Sequence, residues 1–210
     1  EDPRRFTKAF DPMIEDARKV IEDGIRQRVF PGATVEVGDS TGGRWREALG
    51  HLAFDAGSAP TAADTPFDLA SLTKPIATTT VAMSLVHAGR LRLDERAGEV
   101  FNEWRGADRE TVTVRDLLEH AAGLPARLID PVPFGRREFE HDICTMRLEY
   151  PPRTASIYSD VGFLLLGFLV ADRGDASLAA QFDEMLGRLG VRAQENTARD
   201  VPGLSTMDVL

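Results

Sequence analysis

Between residues 11 and 28, apolar side chains recur at Met13, Ile14, Ala17, Val20, Ile21 and Ile25 with charges between them. That 3.6-residue rhythm predicts an amphipathic helix lying on a sheet. Ala33 to Val37 and Arg44 to Leu49 then read as two strands, and Gly38-Asp39-Ser40-Thr41-Gly42-Gly43 between them supplies the glycines of a hairpin turn. After a polar loop, the chain predicts a helix from Ser71 to Ala88, stopped by Gly89. From Pro75 to Val86 this helix carries no charge, a pattern expected of a helix buried in the middle of a fold. Further helices are predicted at 113–121, 136–148, 158–173 and 177–189, separated by turns such as Gly123-Leu124-Pro125 and Tyr150-Pro151-Pro152. No repeat or linker interrupts the chain. It therefore reads as a single domain, 1–210, with an N-terminal helix and strands (1–70), a helical lobe (71–190) and an unassigned, aperiodic tail (191–210).

Composition narrows the partners. The 34 acidic and 25 basic residues give a formal net charge of −9, which disfavours nucleic acid, anionic membrane surfaces and polyanionic substrates. The longest apolar run, Val161 to Ala171, is too short to span a bilayer and suits a core helix. The start, Glu1-Asp2-Pro3-Arg4-Arg5-Phe6, has no apolar leader core, so the cytoplasm, or the periplasm or exterior after signal removal, both stay open. The lone Cys144 excludes an internal disulfide and reads as a buried bystander. His51, His87, His120 and His141 have no ligand-like spacing, so no metal or other cofactor is expected.

Candidate chemistry begins at Ser71-Leu72-Thr73-Lys74. Residues three apart on a helix share a face, so the hydroxyl and the amine can touch. A serine hydroxyl is a poor nucleophile until a base takes its proton, and lysine serves as that base when burial and positive surroundings pull its pKa down. The uncharged helix is expected to supply the burial, and its N-terminal end partial positive charge. Tyr158-Ser159-Asp160 opens a second apolar helix, and a phenol there can relay a proton.

Three segments now carry a resemblance. Phe67-Asp68-Leu69-Ala70-Ser71-Leu72-Thr73-Lys74-Pro75, Asp116-Leu117-Leu118-Glu119-His120-Ala121-Ala122-Gly123-Leu124-Pro125 and Tyr158-Ser159-Asp160, in that order, resemble the serine β-lactamase, DD-peptidase and related esterase superfamily, in its class C-like branch. The resemblance spans roughly residues 11–190. It implies an α/β (α+β) β-lactamase/transpeptidase-like fold, with an antiparallel sheet flanked by helices and an all-helical lobe. It implies that Ser71 is acylated, that Lys74 helps deprotonate it, and that Tyr158 shuttles the proton to the leaving group and helps activate the deacylating water. His120 falls in a segment that looks structural, bonding a turn.

Two departures matter. Asp160 stands where penicillin-directed members carry asparagine; an ionised carboxylate only accepts hydrogen bonds, so it is expected to pair with Lys74 and hold it charged, or to turn substrate preference from acylamino β-lactams to simple esters. The family's third motif, Lys or His followed by Ser/Thr and Gly, has no counterpart after residue 160. The sheet is therefore expected to be incomplete, with an edge that seeks a strand from a second copy or from a missing C-terminal segment. Gly38-Asp39-Ser40-Thr41-Gly42 mimics a nucleophile elbow, but a strand follows it where a helix is required. The expected function is a serine hydrolase of small esters or amides, β-lactam-like compounds included. The rival is a truncated or non-catalytic penicillin-binding-like protein that binds a ligand or partner.

Overall fold

The computed structural model describes residues 12–127 and 133–191, so the aperiodic tail beyond Val191 lies outside the described residues. The chain divides into two units between Asp68 and Leu69.

In the first unit, α1 (Pro12–Arg26) starts on a proline, whose missing N–H is an orphan at that position anyway. β1 (Gly32–Asp39) and β2 (Gly42–Gly50) pair antiparallel from Gly32↔Gly50 to Asp39↔Gly42, with a bulge at Val37/Gly38. The hairpin is tighter than the predicted six-residue connection because Asp39 closes it: its carboxylate accepts the Thr41 N–H at 2.8 Å. Bonds from the Thr41 hydroxyl and N–H, together with Arg44, bring the Asp39 carboxyl down to about 2. Arg18 ties α1 to β2 through Glu47 at 3.0 Å. The amphipathic rhythm is realised only in part. Ile14, Ile21 and Ile25 are half-buried, whereas Met13 and Val20 are 77% and 71% exposed. A face two strands wide is too narrow to cover the whole apolar stripe.

The second unit is helical. The predicted 71–88 helix is not uniform: Ala70–Leu72 forms a 3-10 turn, Lys74–Thr79 a π-helical stretch, and only Thr80–His87 is regular helix (α2). Pro75 is the physical reason, since it has no N–H for the ladder and its ring crowds the preceding turn. Gly89 ends the segment at φ +70°, as a left-handed stop should. Then follow α3 (Ala97–Val100), α4 (Val114–Leu118), α5 (Arg136–Thr145), α6 (Asp160–Gly174) and α7 (Leu178–Arg188).

The central helix is α6, which buries Val161, Phe163, Leu165, Leu166, Phe168, Leu169 and Val170. The uncharged 75–86 stretch, expected in that position, is buried on one face only: Val81, Ala82 and Leu85 point inward, but Met83 is 64% exposed. Its neutrality comes largely from Ser, Thr and Ala, which sit at a surface at little cost. Around α6 pack Leu91, Phe101, Trp104, Leu117, Leu124 and Ile143. No helix among the described residues is long and apolar enough to cross a membrane.

Candidate active site

Ser71 lies in the 3-10 turn directly after Ala70, whose φ is +44°. A non-glycine residue in the left-handed region is strained by roughly 1–3 kcal/mol, a feature that collects at functional sites. Three residues on, at the start of the π-helical stretch, Lys74 directs its Nζ back to Ser71 Oγ at 3.2 Å. The irregular turn thus keeps the pair together just as a regular helix would.

Tyr158 arrives from 87 residues away. The segment 149–160 is laced to 119–126 by bonds from Glu149 N–H to Gly123 O, Arg153 N–H to Ala121 O and Ile157 N–H to His120 O, at 2.9, 2.8 and 3.0 Å. Arg153 adds an ion pair to the buried Asp116 at 2.7 Å. Asp116 in turn caps α4 by accepting from the Thr113 N–H. Gly123 sits at φ +86°, and a Cβ there would lie 2.3 Å from the Tyr150 carbonyl. Ser159 ends the lacing: its hydroxyl donates to Pro125 O at 2.7 Å and accepts the Gly162 N–H at 3.1 Å, capping α6. So held, the Tyr158 hydroxyl reaches Ser71 Oγ at 2.6 Å.

Asp160, the first residue of α6, pairs with Lys74 at 2.6 Å. Burial draws the Lys74 ammonium down, but bonds and charge from Asp160 and Tyr158 outweigh it and hold Lys74 above its ordinary value. Of the two expectations for Lys74, lowering by burial and holding by Asp160, the second is realised, with Tyr158 adding to it. Lys74 also lies over the Tyr158 ring, 5.0 Å from its centre.

The four residues singled out from the sequence, Ser71, Lys74, Tyr158 and Asp160, therefore form one cluster. His120 was given only a turn-bonding part, yet it joins them. Its ring lies 4.8 Å from Tyr158 on one side and 4.8 Å from Phe163 on the other, and its Nδ1 accepts the Ser159 N–H at 3.0 Å. Its place beside Leu117, Gly123 and Pro125 in a quoted motif was the available signal. Ser40 is in the hairpin turn, His87 ends α2, and His141 bonds Glu103. Among the described residues, no three His, Cys, Asp or Glu side chains gather as a metal would require.

The sequence profile of the Beta-lactamase family matches residues 17–197. The chain belongs to that family. Within it, Penicillin-binding protein 4 of Amycolatopsis lactamdurans is 33% identical over 115 residues, which cover 51% of this chain and 29% of that protein. A class C β-lactamase of Rhodobacter sphaeroides superposes with a TM-score of 0.72 at 25% identity, covering 84% of this chain and 49% of the other. EstCE1, described as a hydrolase with promiscuous acyltransferase activity, superposes with a TM-score of 0.74 at 21% identity over 86% of this chain and 52% of its own, a likeness of fold alone. The chain thus spans less than a third of the curated relatives it matches and about half of the solved structures. The Beta-lactamase family and its relatives are hydrolases of the serine β-lactamase and peptidase type, and the mixed helix-and-sheet architecture seen here is theirs.

Proposed function

We propose that this chain carries the nucleophile and proton relay of a serine hydrolase that cleaves small esters or amides through an acyl-enzyme, esters being favoured. The observation that carries the reading is the approach of both Lys74 Nζ, at 3.2 Å, and the Tyr158 hydroxyl, at 2.6 Å, to Ser71 Oγ. In this reading Ser71 Oγ attacks the substrate carbonyl carbon. Tyr158 takes the serine proton as it gives its own to the departing oxygen, so no free phenolate is needed. Lys74, held as an ammonium by Asp160, donates to Oγ and stabilises negative charge there. A water then attacks the acyl carbon, and the relay runs in reverse to restore Ser71.

Asp160 supports the ester preference. Paired with Lys74, it offers only acceptor oxygens where an acylamino carbonyl would need a donor. The test is hydrolysis of p-nitrophenyl acetate and of a chromogenic cephalosporin by the chain and by Ser71→Ala. Ester turnover that disappears with Ser71 and exceeds cephalosporin turnover is expected; equal rates for both chains would overturn the reading.

A further inference from the structure

We infer that His120 is the positioning residue for Tyr158, acting as a neutral imidazole protonated on Nε2 that fixes the peptide on either side of the tyrosine. The inference rests on the reading of Ser71 and Tyr158 just given. His120 grips the segment twice. Its backbone carbonyl accepts the Ile157 N–H at 3.0 Å, and its ring Nδ1 accepts the Ser159 N–H at 3.0 Å, so Tyr158 is bracketed by two bonds to one residue. The carbonyl also accepts from the Tyr150 hydroxyl at 3.2 Å. Between the two grips, the imidazole lies tilted by 37° against the Tyr158 ring and by 36° against Phe163, filling the gap between α6 and the tyrosine.

The backbone is arranged for this. His120 adopts φ +55°, which turns its carbonyl and ring toward the same neighbouring segment. Histidine is among the few non-glycine residues that enter this region with some frequency. Valine or isoleucine there would be strained and would have no acceptor for the Ser159 N–H.

The Ser159 bond requires the Nδ1 lone pair. A proton on Nδ1 would set a donor against a donor, so acid would release Ser159 and loosen Tyr158. The groups that face His120 are the Lys74 ammonium from the π-helical stretch, the Tyr158 phenol, and Asp160 at the head of α6, while Glu119 beside it turns outward to Arg115. Burial and the Lys74 charge hold the imidazole below its ordinary value, against the opposing pull of Asp160.

The test compares the full chain with His120→Ala, which loses ring and acceptor, and His120→Asn, whose amide oxygen can still accept the Ser159 N–H and which tolerates the same φ. For p-nitrophenyl acetate between pH 5 and 9, His120→Ala is expected to lose kcat by roughly tenfold to a hundredfold with KM little changed, the scale of a misplaced reacting group. His120→Asn is expected to recover most of that loss and to lack the acid limb of the parent profile. A second readout needs no turnover: Tyr150 and Tyr158 are the two tyrosines of the sequence, so ¹³C-tyrosine spectra follow Tyr158 directly. Its resonance is expected to move with pH in the parent and to stay fixed in His120→Asn. An unchanged kcat in His120→Ala, an acid limb retained in His120→Asn, or a Tyr158 resonance indifferent to His120 would each overturn the inference. If the parent itself turns over no ester, the reading of Ser71 fails, and the spectra still decide the part of His120.

Discussion

Ser159 and Ser177 cap consecutive helices in one molecule, and comparing them isolates what anchors the candidate site. At α7, the exposed Ser177 hydroxyl accepts the Ala180 N–H at 3.1 Å. Replacing it with alanine costs about 1 kcal/mol, the usual value of an N-cap. At α6, the buried Ser159 hydroxyl accepts the Gly162 N–H and also donates to Pro125 O at 2.7 Å, across the lacing that brings Tyr158 to Ser71. Ser159→Ala therefore loses the cap and a second hydrogen bond of about 1 kcal/mol, for a total of about 2 kcal/mol. Urea unfolding followed by Trp104 fluorescence measures both. A Trp45→Phe background leaves Trp104 as the sole indole of the chain, and its burial at 1% exposure makes it report the helical unit. A cost for Ser159→Ala equal to that of Ser177→Ala, or below about 1 kcal/mol, would refute the argument that the Pro125 bond anchors this end of α6.

Asp160→Asn removes one of the two groups that hold Lys74 up and leaves burial opposed by Tyr158 alone, so the Lys74 ammonium should titrate lower than in the parent. The sequence has three lysines, so the Cε shift of ¹³C-lysine against pH reads this directly, and an unmoved titration would count against the pair. Cys144 is buried at 1% exposure and its thiol is pushed up to about 12 by desolvation, then by Glu140 and Glu103. It should resist Ellman's reagent at pH 8 until the chain unfolds. An acid whose folded value is raised ionises first in the unfolded chain, so the stability tied to Cys144 is present below about pH 9 and declines from there toward pH 12, a decline that Cys144→Ala should lack. Gly123→Ala should cost roughly 1–3 kcal/mol, because φ +86° and the Tyr150 carbonyl at 2.3 Å both exclude a Cβ; a neutral substitution, read by urea unfolding, would contradict that.

Most of this was written locally in the sequence. Helix starts were legible where a short-range device sets them, as with Thr113 and Asp116 at α4 or Ser159 at α6. The Ser71–Lys74 approach followed from spacing alone. What spacing could not reveal is how Pro75 splits a long helix into 3-10, π and α stretches, because the pattern of apolar positions barely registers one residue gained per turn. The rank of helices was also misjudged: absence of charge between Pro75 and Val86 imitated burial, while α6 earned the centre by being apolar on every side. The Asp160–Lys74 pair was foreseen from residue chemistry, but that Asp160 and Tyr158 together outweigh burial at Lys74 depends on contacts more than 80 positions apart, which no periodicity encodes. His120 was read as a turn-bonding residue, but which segment it bonds was not legible, since its contacts with Ile157 and Ser159 span more than thirty residues.

Ser71 is proposed as a nucleophile activated by Lys74 and Tyr158. Intact-mass spectrometry after incubation with a fluorophosphonate probe tests it most directly, with Ser71→Ala alongside. A single phosphonyl adduct is expected that maps to Ser71, is absent from Ser71→Ala and forms more slowly in Tyr158→Phe. No adduct, or one that survives the loss of Ser71, would contradict it.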